Sequence, residues 1–135
     1  MMGTKVFVNL PVKDLNKSKE FFSKLGFTFN QQFTDDKAAC MVISEENYAM
    51  LLLEQFFKVF TNKEIADAKK STEVLVALSA ESRQKVDEIL NKALAAGAKE
   101  PRAPQDHGFM YGRSLEDLDG HIWEIFWMDP KTIKP

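Results

Sequence analysis

The chain has 135 residues, 44% hydrophobic and 28% charged, enough for one domain with a core of its own. Its 18 basic and 20 acidic residues are scattered, and a formal net charge of −2 without a basic block argues against nucleic acid as a partner. No apolar run approaches the ~20 residues of a membrane span, and the single cysteine, Cys40, has no internal disulfide partner. The start M-M-G-T-K-V-F-V lacks the apolar core of a signal peptide, so a cytoplasmic location is the expectation.

In chain order, K-V-F-V-N-L-P-V at 5–12 predicts a strand. Asp14 is placed to cap a helix whose apolar positions are Leu15, Ser18, Phe21, Phe22 and Leu25, with Gly26 as its stop. Three strands are predicted next, in F-T-F-N-Q-Q-F-T, A-A-C-M-V-I and Y-A-M-L-L-L-E-Q. Phe56, Phe57 and Phe60 follow in a segment, 55–71, that reads either as a helical link over the core or as a rim over a cavity mouth. The order then repeats. E-V-L-V-A-L-S at 73–79 predicts a strand, and Ser79 or Ser82 caps a helix with Val86, Ile89, Leu90, Ala93 and Leu94 on its apolar face. Gly97 ends that helix, and strands near 99–104, 109–116 and 121–128 complete the half, the first weakened by Pro101 and Pro104. Gly26 and Gly97 stand apart by nearly the same interval as Glu54 and Glu124. A single domain of two halves is therefore expected: module one at 5–54, a linker at 55–71 and module two at 72–129.

Within D-L-D-G-H-I-W-E-I-F-W, Glu124 interrupts an apolar strand. Alternation puts it on a face with Ile122 and Phe126, while His121, Trp123, Ile125 and Trp127 share the other. A carboxylate among hydrophobes needs a hydrogen-bond donor, a cation or a metal, or else it takes up a proton. Glu124 is thus a candidate for chemistry. His107, in the loop P-Q-D-H-G, reads as solvent-exposed or as a proton carrier, and His121 as packing away from Glu124. Tyr111 and Arg113 share a face with Phe109 and Leu115; turned inward, Arg113 would grip an anion or neutralise a carboxylate, and turned outward it is a surface residue. Cys40 reads as a small buried hydrophobe. There is no glycine-rich phosphate loop and no G-x-S-x-G elbow, so nucleotide and esterase chemistries have no support.

The stretches V-K-D-L-x-x-S-x-x-F-F-x-x-L-G-F at 12–27, L-L-L-E at 51–54 and E-D-x-D-G-H-I-W-E-I at 116–125 resemble the vicinal oxygen chelate superfamily, which includes glyoxalase I, bleomycin-resistance proteins and extradiol dioxygenases. The resemblance runs from about Lys5 to Asp129. It implies an α+β fold of two βαβββ modules whose strands curl into an open, barrel-like cup, and a homodimer. It also implies four metal-ligand positions, which fall here on Phe7, Glu54, Leu75 and Glu124. The glutamates match and the usual histidines are absent; Phe7 and Leu75 have no donor atom to offer a metal. Asn9 shares a strand face with Phe7 but is displaced by ~6–7 Å along it. Two carboxylates with water would still hold a hard divalent ion, so Glu54 and Glu124 remain the ligands if there is a metal. The favoured expectation is a metal-free cup without a cofactor. It would bind a small molecule, with Glu54 and Glu124 either hydrogen-bonding to a cationic or amide-bearing ligand or sharing a proton, and with Phe7, Asn9, Leu75, Tyr111 and Arg113 as further ligand-binding candidates. The alternative is an enzyme: a divergent metal-dependent lyase of lactoylglutathione-lyase type, a dioxygenase, or a metal-free acid–base catalyst using Glu54 and Glu124. A structural interaction module fits the two acids poorly.

Overall fold

The computed structural model of the chain describes residues 3–132, and their contacts divide at Ala66/Asp67 into two compact units. In the first, β1 (Val6–Val12) is followed by helix α1 (Leu15–Lys24), β2 (Thr28–Phe29), β3 (Ala38–Val42) and β4 (Asn47–Leu53). The sheet order is β1-β4-β3-β2, with β1 parallel to β4 and the other neighbours antiparallel. A one-turn helix α2 (Glu54–Phe57) and a 3-10 turn (Lys58–Phe60) follow. In the second unit β5 (Leu75–Ser79) leads into α3 (Arg83–Ala95), then β6 (Gln105–Asp106), β7 (Met110–Glu116) and β8 (Ile122–Met128). Its order, β5-β8-β7-β6, repeats that of the first, again with one parallel pair. Each unit is thus a βαβββ module, and the fold is α+β.

Local chemistry explains the helix limits. Asp14 and Ser82 are extended, and their side chains accept the backbone N–H of Lys17 and Lys85, each at 3.0 Å. Gly26 and Gly97 take positive φ just past the helix ends, where L side chains are disfavoured. One side of each sheet is covered by its helix. In module one Leu10, Val12, Met41, Ala49 and Leu51 meet the side of α1 carrying Phe21 and Phe22; in module two Leu115, Trp123 and Ile125 meet Val86, Leu90 and Ala93. Each such large apolar side chain contributes about 1.5–3 kcal/mol on burial. The opposite side of each sheet, turned away from α1 or α3, is the open face.

Three expectations need correction. The strand read at 27–34 stops at Phe29, because the Asn30 side chain accepts the Gln32 N–H at 2.9 Å and coils Gln31–Phe33 into a 3-10 turn. At 99–104 only Lys99 bridges to Glu116; the pairing strand, β6, starts beyond Pro104, past two residues that lack an N–H to donate. Finally, β4 ends at Leu53, so Glu54 opens α2 and does not close a strand. No helix of the described residues is long and apolar enough to cross a membrane.

Candidate functional site: the open face of module two

β7 and β8 form a hairpin closed by a turn that is held at both ends. The buried Asp117 accepts the N–H groups of Asp119 and His121 on Oδ1, at 2.9 and 3.0 Å, and the Trp123 indole N–H on Oδ2 at 2.9 Å. Burial pushes its carboxyl up from the usual carboxylate range, opposed by the neighbouring His121 charge and by these hydrogen bonds. Gly120 completes the turn with φ +94° and presses against the backbone of Ala68 and Lys69. With the turn fixed, so is the register. Ser114 faces Glu124 across the hairpin, and Ala77 flanks Glu124 on the β5 side.

Glu124 therefore stands at the centre of the open face. Leu75 and Ile122 lie to one side along the strands, Ser79 and Phe126 to the other. The Ser114 hydroxyl, 1% exposed, donates to Glu124 Oε2, and Oε1 accepts no hydrogen bond among the described residues. A half-buried carboxylate, oriented by a hydroxyl and left with a free oxygen, is ready to accept a hydrogen bond or to meet a cation. Sequence reading missed Ser114 and Asp117. Counting outward from the Asp119-Gly120 pair would have set Leu115 opposite Glu124; the turn is centred on Asp119, and that shift of one residue puts Ser114 there.

Tyr111 and Arg113 are on the other side of the sheet. Arg113 donates to both oxygens of Glu100 at 2.9 Å and to Asp87 Oδ1 at 2.9 Å, and the Tyr111 hydroxyl donates to the same Asp87 oxygen at 2.6 Å. The hydrogen bond from Tyr111 lowers the Asp87 carboxyl, and the bond from Arg113 lowers that of Glu100. This corrects the inward option: the parity that buries Leu115 against α3 carries residues 111 and 113 to the helix side, away from Glu124. Nearby, the Arg83 guanidinium lies 5.2 Å from the rings of Tyr111 and Trp127 and pairs in bidentate fashion with Asp106 at 2.8 Å. His107 is exposed in the loop between β6 and β7, its ring 6.3 Å from that of Phe109.

Module one arranges its own open face differently. Phe7 stacks on Tyr48, with ring centroids 4.7 Å apart at 11°, and Lys5 Nζ lies 5.6 Å from the Tyr48 ring. The Asn9 amide donates to the Phe7 carbonyl at 3.2 Å, so its nitrogen is turned to its own strand. Glu54 is half-buried at the start of α2, where Phe56 and Phe60 meet edge to face. A cavity of about 500 Å³ opens elsewhere in this module, beside the start of α1, between Lys13, Lys19, Gln31 and Asp36; it includes none of Phe7, Asn9 or Glu54.

Taken singly, the candidate positions offer a transition metal little: the side chains of Phe7 and Leu75 have no donor atom, and the strand neighbours of Glu124 are Ala77 and Ser114.

The sequence profile described as bleomycin resistance protein-like N-terminal matches residues 4–44. No curated protein matches the chain in sequence. Among solved structures, a hypothetical protein from S. aureus superposes with a TM-score of 0.78 at 26% identity, covering 94% of this chain and 95% of that one. A glyoxalase/bleomycin resistance protein/dioxygenase family enzyme from Burkholderia phytofirmans PsJN gives 0.76 at 16% identity, covering 93% and 99%. A bleomycin resistance determinant encoded on the transposon Tn5 gives 0.64 at 16% identity, covering 94% and 99%.

Proposed function

We propose that this chain, a member of the glyoxalase/bleomycin-resistance/dioxygenase superfamily by its fold and by the match of its first module, binds a small cationic or amide-bearing molecule without a resident metal ion or other cofactor. One observation carries the reading: Glu124, oriented by Ser114, presents a free carboxylate oxygen on an otherwise largely apolar sheet face. A site that sequesters a ligand needs apolar area for affinity and one or two placed polar groups for orientation, and this face supplies both. Phe7 and Leu75, 47% and 58% exposed, support it by putting apolar surface where a metal enzyme of this fold needs imidazole. Their place on β1 and β5, the edge strands of the two sheets, also supports association of two copies.

The test is elemental analysis of the purified chain after exposure to nickel, zinc, iron, cobalt and manganese and desalting, with a thermal-shift screen of cationic and anionic compounds beside it. The reading expects no stoichiometric metal and stabilisation by cations that is lost in Glu124→Gln. Stoichiometric metal that disappears in Glu54→Gln or Glu124→Gln overturns it and directs the work to lyase and dioxygenase assays. Sedimentation at micromolar concentration checks the pairing.

A further inference from the structure

Gly112 occupies the middle of β7, next but one to Ser114, and its backbone does not ask for glycine. Its φ is not positive, unlike those of Gly26, Gly97, Gly108 and Gly120. A Cβ there would meet Phe126 Cβ at 3.4 Å and the Ile125 carbonyl at 3.6 Å, which is tight to ordinary contact and not overlap. Glycine inside a strand weakens it by entropy and lost packing, and it recurs where another molecule comes close to the backbone. No side chain therefore covers the Gly112 backbone on the open face, where its neighbours are Phe126 and Gln105 across the adjoining strands and Met110 and Ser114 along β7.

Same-face positions along a strand are separated by about 6.5–7 Å. A ring resting on Gly112 thus brings a substituent one or two bonds long to the pair Ser114–Glu124. On this face Lys99 stands beside Glu116 and offsets it, which leaves Glu124 as the charge next to Gly112 and Ser114, so complementarity at this spot selects a cation over an anion. We propose that Gly112 is a specificity-determining residue: it floors a subsite for the flat aromatic part of a ligand whose protonated amine or amidine meets Glu124. The inference rests on the ligand-binding reading of this face and names the class of ligand.

The experiment is a proton–nitrogen chemical-shift titration of the full chain with benzamidine and tryptamine, with methylamine as a cation lacking the ring and indole-3-acetate as a ring with the opposite charge. Wild type, Gly112→Ala, Gly112→Val and Glu124→Gln are compared, with thermal midpoints measured on each. The expected result is saturable binding of the two aromatic cations by wild type, with shifts on β7 and β8 and none from indole-3-acetate. Gly112→Val and Glu124→Gln each weaken that binding at least tenfold and Gly112→Ala about threefold, whereas methylamine is affected by Glu124→Gln alone. Gly112→Ala melts at or above wild type, since the strand gains a better former. Wild-type affinity in Gly112→Val overturns the subsite while leaving the ligand-binding reading intact, and so does a large loss of thermal stability in Gly112→Ala, which would make the glycine a demand of the strand. If Gly112→Val does not fold, the threefold effect of Gly112→Ala decides. Failure of every cationic probe to bind wild type removes the ligand-binding reading and the subsite with it.

Discussion

Single residues of similar backbone conformation carry different loads in this chain. Gly26 and Gly120 both have positive φ, +106° and +94°, yet a Cβ at Gly26 meets nothing within 4 Å, whereas at Gly120 it would lie 2.7 Å from Lys69 N and 2.8 Å from the Ala68 carbonyl carbon. Left-handed backbone costs an L residue about 1–2 kcal/mol. Gly26→Ala should lose about that much, and Gly120→Ala distinctly more, because backbone cannot yield as a side-chain tip does. Urea midpoints compare the two; equal losses would mean that the 68–69 segment moves aside freely. Asp117 beside it is a second such load. Asn at this position keeps an acceptor for the two turn N–H groups but points its amide N–H₂ at the Trp123 indole N–H, two donors face to face in a buried place. Leaving a buried donor unmet costs about 1–3 kcal/mol, so Asp117→Asn should destabilise by that order, read by the same urea titration and by a change in Trp123 fluorescence.

Among elements, α3 is pinned to its sheet by two arginines of unequal weight. Arg113 is 11% exposed and faces Glu100 at 22%, whereas Arg83 and Asp106 are 38% and 52% exposed. Removing Arg113 leaves partly buried carboxylates without their partner, so Arg113→Met should cost about 2–3 kcal/mol; Arg83→Met loses a screened pair and ring contacts and should cost about 1 kcal/mol. Equal effects in thermal melts would contradict this ranking. Helices were also the part most legible in the sequence, because caps such as Asp14 and Ser82 and apolar spacing such as Val86, Leu90 and Ala93 are written locally. Strand limits were less so. At 30–33 the Asn30 side chain outcompetes the sheet for the backbone, and β6 depends on where β7 offers a partner, not on its own two residues. The site divides along the same line. Glu124 was legible as a charge in an apolar strand, while the side taken by Tyr111 and Arg113 follows from which face of β7 α3 covers, and their partners Asp87 and Glu100 are distant in sequence. The turn to α2 at Glu54 leaves no local mark beyond the phenylalanines that follow.

At the scale of the whole molecule the two modules share an order of elements but not a chemistry: one open face carries the Phe7–Tyr48 stack, the other the Ser114–Glu124 pair. Ionised carboxylates are used mostly by the second module. Asp35, Asp87, Glu88, Glu100 and Asp106 are all held below their ordinary values, Asp35 chiefly by the Lys37 N–H, Glu88 by Lys92 and Asp106 by Arg83. A depressed carboxyl contributes stability that is present above its unfolded value, 3.8 for Asp and 4.5 for Glu, and that is lost as pH falls through the lower folded value. Asp117 has the opposite sign: its raised carboxyl contributes fully below 3.8 and loses that contribution as pH rises through its folded value. Five groups act against one, so the thermal midpoint should fall on acidification below about pH 4.5. Two variants make the attribution specific. Arg113→Met removes the leading hydrogen bond on Glu100 and a further one on Asp87, and should flatten the acid limb; Asp117→Asn removes the one opposing group, and should steepen it. Midpoints recorded from pH 3 to 7 on the three proteins separate these slopes, and parallel acid limbs in all three would show that the pairing around α3 and the buried turn carboxylate do not set the acid stability of the chain.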